Sequence, residues 1–195
     1  MEEKIILASS SPRRIEIMKN HGIDPIVMPS DIDETIPKNL NMQQAVMYLA
    51  LKKALNVEEK YLKENPSLKN KTIISADTIV FKDQIIGKPS DYNDAVRILE
   101  TLNGTNHYVA TGVCILKTNT PIRQIFYEVT EVIFKNYTHD DIKNYIDSGE
   151  PWDKAGGYAI QGKWKKYIDH YIGDYENVVG FPWKRIQEEL RALNY

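Results

Sequence analysis

Apolar residues follow two rhythms along the chain. Short continuous runs at 4–8, 25–28, 72–76, 78–81, 106–116, 122–134 and 166–172 predict strands. The third and fourth are nearly contiguous, and Lys82-Asp83-Gln84 predicts a turn into a further short strand at Ile85-Ile86-Gly87. Amphipathic spacing predicts helices over 12–21, 41–64, 90–102, 138–147 and 181–193. Ser11 ahead of Pro12 reads as the N-cap of the first helix. Ser90 and Thr138, each followed closely by Asp, read as caps of the third and fourth. Gly22, Gly104 and Gly149 fall where helices should stop. Alternating helices and strands, with long consecutive strands over 106–134, predict an α/β fold with a mixed sheet.

The helix at 41–64 breaks its own pattern. Met42, Ala45, Val46, Leu49, Ala50, Ala54 and Val57 form an apolar stripe, and Lys53 falls on it while Lys52 points elsewhere. A lysine there either snorkels outward, its stem covering apolar surface, or reaches into a cleft to meet a negative partner.

At 195 residues the chain is one domain, or one domain with two lobes, with a sizeable core. Apolar residues at 42% and charged residues at 27% fit a soluble globular protein. A net charge of −2 argues against bulk binding to nucleic acid or an anionic membrane. The densest basic stretch, KWKK at 163–166, reads as a solvated strand edge. No signal segment or membrane-length apolar run is seen, which makes the cytoplasm the expected compartment. The single cysteine, Cys114, lies in an apolar run and reads as a small core residue. His21, His107, His139 and His170 are scattered without zinc-type spacing, so any metal should be a hard cation held by carboxylates and phosphate oxygens.

Three stretches carry candidate chemistry. Ser9 to Arg14, SSSPRR, joins a strand end to a helix start, where exposed amides and the dipole suit an anion and Arg13 and Arg14 add charge. It also fits an ordinary capped helix with two solvated arginines. In TIISADTIVFKDQIIGKPSD, 72 to 91, Asp77 between two apolar runs must be paired, hydrogen-bonded or metal-bound, or else cap a turn. Lys88 could meet a phosphate, although no GxxxxGK[ST] motif is present. In SGEPWDKAGGYAIQG, 148 to 162, four glycines predict a shaped loop. Gln161 there offers an amide donor and acceptor matching a pyrimidine edge, unless the loop's polar groups satisfy only each other. With no GxSxG or Ser-His-Asp order, cations plus carboxylates point to metal-assisted attack of water on a phosphate ester or anhydride.

Taken in order, LASSSPRR at 7–14, DIDE at 31–34, LALKKA at 49–54, SADTIV at 75–80, GKP at 87–89, EPWDKAGGYAIQG at 150–162 and VVGFP at 178–182 resemble the Maf family of nucleoside triphosphate pyrophosphatases. The resemblance spans almost the whole chain. It implies a single Maf-like domain over 1–195, a two-lobed mixed sheet with flanking helices and a central cleft (Maf/ITPase-like), and a homodimer. It further implies a divalent cation (Mg²⁺, Mn²⁺ or Co²⁺) and cleavage of a nucleoside triphosphate to monophosphate and pyrophosphate. By motif, Asp77 would be the general base, Ser9, Arg13 and Arg14 the phosphate grip, and Lys53 and Lys88 the groups neutralising transition-state charge. Glu34 would join the metal or phosphate shell with Asp77.

Arg13, Thr78 and Gln161 occupy the positions associated with substrate choice in the dTTP/UTP branch of that family. The branch commonly reads KAGAYGIQG, whereas Gly157 and Ala159 here exchange alanine and glycine. Alanine at 159 would be strained if that backbone needed a positive φ. Trp152 stands where a smaller or aliphatic residue is usual. The sequence leaves two other functions open: the same chemistry on 7-methyl-GTP or a deaminated purine nucleotide, and a nucleotide-binding regulator of septum formation with little turnover.

Overall fold

The computed structural model describes residues 4–67 and 69–193. In chain order the elements are β1 (Ile6–Leu7), α1 (Pro12–Asn20), β2 (Ile26–Val27), α2 (Met42–Glu64), β3 (Thr72–Lys82), β4 (Gln84–Ile86) and α3 (Tyr92–Leu102). They continue with β5 (Asn106–Lys117), β6 (Arg123–Phe134), α4 (His139–Asp147), β7 (Ile168–Ile172), α5 (Tyr175–Val179) and α6 (Trp183–Ala192). Among the described residues the strands form one seven-stranded sheet ordered β2-β1-β3-β5-β6-β7, with β4 paired to β3. β1 runs parallel to β2 and β3, whereas β3–β4 and β6–β7 are antiparallel, so the sheet is mixed as the alternation predicts. No helix of the described residues is long and apolar enough to cross a membrane.

The chain divides into two compact units. The first takes the residues up to Asp77, Thr111–Glu128 and those from Gly180 onward; the second takes Thr78–Ala110 and Val129–Val179. The chain thus leaves the first unit within β3, between Asp77 and Thr78.

In the first unit the core forms where the α2 stripe meets the sheet. Ala50, Ala54 and Val57 pack with Ile6, Ile73, Cys114 and Leu116. Burial pushes the Cys114 thiol up to about 12, in keeping with a core residue. Gly112 on β5 lets the helix approach closely, because a Cβ there would lie 2.3 Å from the carbonyl of Val46. The second unit packs α3 against α4 around Leu99, Leu102, Phe134, Tyr145 and Trp164.

Two local expectations give way. The N-cap of α3 is Asp91, not Ser90: its carboxylate accepts from the Asp94 N–H at 2.9 Å, while the Ser90 N–H donates to Asp94 Oδ2. The longer carboxylate arm at 91 reaches the third amide of the helix and moves the start by one residue. Residues 163–166 are not a strand edge but part of a 3₁₀ turn, Lys163–Tyr167. Trp164 is buried there against the rings of Tyr137, Tyr145 and Tyr167, and an inward indole between outward lysines fits a helical turn. Thr138 caps α4 through a capping box as expected, and Gly22, Gly104 and Gly149 end helices at positive φ.

Candidate active site

The first unit gathers its chemistry where β1 ends. The Ala8 N–H donates to the Ile74 carbonyl at 2.8 Å, fixing that end beside β3. The chain then turns: the Ser9 hydroxyl accepts from the Ser11 N–H, and α1 starts at Pro12 with Ser11 as N-cap but without a cap bond from its side chain. One turn on, Arg14 works as a fork. Its Nη1 donates to the Ala76 carbonyl at 2.8 Å and to Ser9 Oγ at 3.2 Å, and its Nε donates to the Gly180 carbonyl at 2.9 Å. Gly180 holds φ 110°, a conformation that favours glycine. Desolvation lowers the Arg14 pKa from its ordinary value, and the Arg13 charge adds to this. The carboxylates of Asp77 and Glu34 oppose it. A guanidinium stays charged under such a shift.

Lys53 resolves the anomaly on α2. It is 8% exposed, and its ammonium donates to Asp77 Oδ1 at 2.6 Å and pairs with Glu34 Oε1 at 2.7 Å. The lysine reaches inward, as the second of the two readings required. Asp77 is itself 6% exposed, and the ammonium offsets the cost of burying its carboxylate.

Each partner is held in turn. An Asn41/Gln44 capping box starts α2. The buried Ser75 hydroxyl on β3 donates to the Ala50 carbonyl at 2.6 Å, tying the helix down less than one turn before Lys53. Lys52, which the stripe sends elsewhere, donates to the Asp33 carbonyl at 2.6 Å. The Asn56 side chain accepts from the Asp31 N–H at 3.0 Å. These two contacts strap the loop carrying Glu34 onto α2. The contacts of Ser75, Lys52 and Gly180 are not readable from sequence, because two act on main-chain acceptors and the third is one. Two left a trace: Ser75 as a polar position within an apolar strand, and Lys52 as the lysine pointing away from the stripe.

The remaining candidates lie in the second unit. Thr78 is half-buried on β3, Lys88 is exposed between β4 and α3, and Gln161 is exposed with its side chain hydrogen-bonded to Tyr175. The loop bearing Gln161 is internally braced. The Glu150 carboxylate accepts from the Lys163 N–H at 3.1 Å and from the Tyr145 hydroxyl at 3.3 Å, and the Glu150 carbonyl accepts from Lys154 Nζ at 2.6 Å. Tyr158 lies 2.6 Å from Nε2 of the buried His107. Gly156 and Gly157 take φ 71° and 67°, whereas Ala159 is not among the residues at positive φ. Trp152 is exposed on the same loop.

Ser9, Arg14, Glu34, Lys53 and Asp77 are therefore linked within one unit, with Arg13 coupled electrostatically to Arg14. No cluster of three or more His, Cys, Asp or Glu side chains suited to a metal occurs among the described residues. Two hard carboxylates converging on one cation do fit a Mg²⁺-type ion that takes its other ligands from water and phosphate.

A mixed α/β fold with two carboxylates and a buried lysine beside an arginine fork has the chemistry of a phosphate-handling hydrolase. The chain belongs to the Maf-like protein family, whose sequence profile matches residues 4–193. The dTTP/UTP pyrophosphatase of Acetivibrio thermocellus is 42% identical over 96% of this chain and 94% of its own length. That of Desulforamulus reducens is 44% identical over 97% of this chain and 96% of its own. The solved Staphylococcus aureus Ham1 protein aligns with TM-score 0.40 and 14% identity, covering 67% of this chain and 71% of that one, a likeness too loose to argue from.

Proposed function

We propose that the chain is a nucleoside triphosphate pyrophosphatase that hydrolyses dTTP and UTP to the monophosphate and pyrophosphate. The observation that carries the reading is the buried Lys53 drawn onto both Asp77 and Glu34 in a chain whose near-full-length relatives bear that name. In this reading the two units serve as one domain in a cytoplasmic homodimer that binds no nucleic acid.

Asp77 accepts a proton from water as the water oxygen bonds to the α-phosphorus and the α–β bridging bond breaks towards pyrophosphate. Ser9, Arg13 and Arg14 hold phosphate oxygens, and Lys53 and Lys88 offset the charge that grows on them. Glu34 and Asp77 would hold a divalent cation (Mg²⁺, Mn²⁺ or Co²⁺), which would supply charge neutralisation and Lewis acidity when bound. Thr78 and Gln161, with Arg13, select the base.

The test follows pyrophosphate and orthophosphate released from a panel of nucleoside triphosphates, with Asp77→Asn alongside. Pyrophosphate from dTTP and UTP is expected, with kcat reduced by about 10²-fold or more in the variant and KM little changed. Orthophosphate as product would overturn the bond assignment, and full turnover in Asp77→Asn would overturn the base.

A further inference from the structure

The Lys53 ammonium occupies an unusual place for a group that only offsets charge in a transition state. It lies 2.6 Å from Asp77 Oδ1 and 2.7 Å from Glu34 Oε1. Those carboxylates are the pair assigned to the divalent cation in the pyrophosphatase reading, on which this inference rests. An ammonium and a metal ion cannot both take that place, because Mg²⁺ draws its oxygen ligands in to about 2.0–2.1 Å. The charges around it point the same way. Arg13, Arg14 and Lys53 set three cations against the two carboxylates of Glu34 and Asp77. Such a balance repels a bare dication and attracts a polyanion.

We infer that Lys53 is a resident counter-ion, holding between Glu34 and Asp77 the place a divalent cation takes in the reaction, so that the metal enters with the triphosphate and not before it. The triphosphate supplies both the missing negative charge and an alternative partner for the displaced ammonium. The lysine thereby keeps two buried or half-exposed carboxylates paired in the free protein, which spares Asp77 the cost of standing buried and uncompensated.

The experiment uses the full chain without turnover. Free Mn²⁺ is followed by electron paramagnetic resonance during titration of wild type, Lys53→Met and Lys53→Ala, each checked for folding by circular dichroism. Without nucleotide, wild type is expected to bind Mn²⁺ at least about tenfold more weakly than either variant, a gap of about 1.4 kcal/mol. A UTP analogue with a methylene between the α- and β-phosphates is expected to bring wild-type Mn²⁺ affinity up by a similar factor or more, beyond the Mn²⁺ that the analogue binds in a protein-free titration. Mn²⁺ binding by nucleotide-free wild type as tight as by the variants would overturn the proposal. Should neither variant fold, wild type decides alone: Mn²⁺ affinity that the analogue does not raise overturns it. Loss of the pyrophosphatase reading itself would appear separately, as an absence of pyrophosphate from every triphosphate tested.

Discussion

Gly112→Ala tests whether the approach of α2 to β5 sets the position of Lys53. The added Cβ would lie 2.3 Å from the carbonyl carbon and oxygen of Val46 and 2.6 Å from the Met47 nitrogen. Non-bonded heavy atoms settle near 3.5–4.0 Å, so helix or strand must move by roughly 1 Å. These neighbours are helix backbone and cannot rotate aside, which places the cost toward the upper part of the about 1–3 kcal/mol typical of overpacking. For a chain of this length that corresponds to a melting temperature lower by roughly 4–10 °C. Lys53 lies two turns along the same helix face from Val46, so the displacement carries to its ammonium. An ångström of misplacement costs on the order of 10²-fold in turnover. Gly87→Ala is the control, because a Cβ there meets nothing within 4 Å and φ is not positive. Thermal melts by circular dichroism and pyrophosphate release give the two readouts. Gly112→Ala melting within about 2 °C of wild type with undiminished kcat would refute the close-approach argument.

Arg14→Lys should lower the urea midpoint by an amount equivalent to about 1–3 kcal/mol, since a compact ammonium cannot reach the Ala76 and Gly180 carbonyls and Ser9 Oγ together. An unchanged midpoint would show that the fork is not structural. His107 gives a pH signature: burial, aided by the Lys82 charge, pushes it down to about 3. Its unfolded value is about 6.5, so the unfolded chain takes the proton first. The stability it contributes is complete above that value and lost as pH falls toward 3, with a slope of up to about 1.4 kcal/mol per pH unit. Between pH 7 and 5, wild type should therefore lose about 1–2 kcal/mol more than His107→Phe in urea unfolding, and parallel losses would refute the assignment.

The fold was legible wherever periodicity had length to express itself. α2, β5 and β6 run nearly as their apolar patterns predict. β3 did not look like one strand, because Asp77 splits its apolar run. The strand continues through the carboxylate because the charge it meets, Lys53, comes from another element, 24 residues away in sequence. α5 spans only five residues, too few for a helical stripe to show. The 163–167 turn was hidden for a related reason: its single buried group, Trp164, sits among lysines that give the segment a solvated look.

The site was legible through its side chains and opaque through its backbone. Lys53 announced itself as a charge on an apolar stripe, and Asp77 as an acid inside a strand. Arg14 signalled an anion, yet its bonds run to two carbonyls and one hydroxyl of its own chain, and carbonyl acceptors leave no mark on residue type. The exchanged pair at 157 and 159 shows how far one backbone angle can reverse an expectation. Alanine at 159 would be strained only at positive φ, and the loop does not ask that of it. The demand falls on 157 instead, at φ 67°, where this chain has its glycine and where an alanine would be strained. The left-handed residue of the pair is thus the glycine, while Glu150 and the His107–Tyr158 contact brace the loop on either side. The order found here, glycine at 157 and alanine at 159, therefore leaves no strained residue at either position of the loop that carries Gln161.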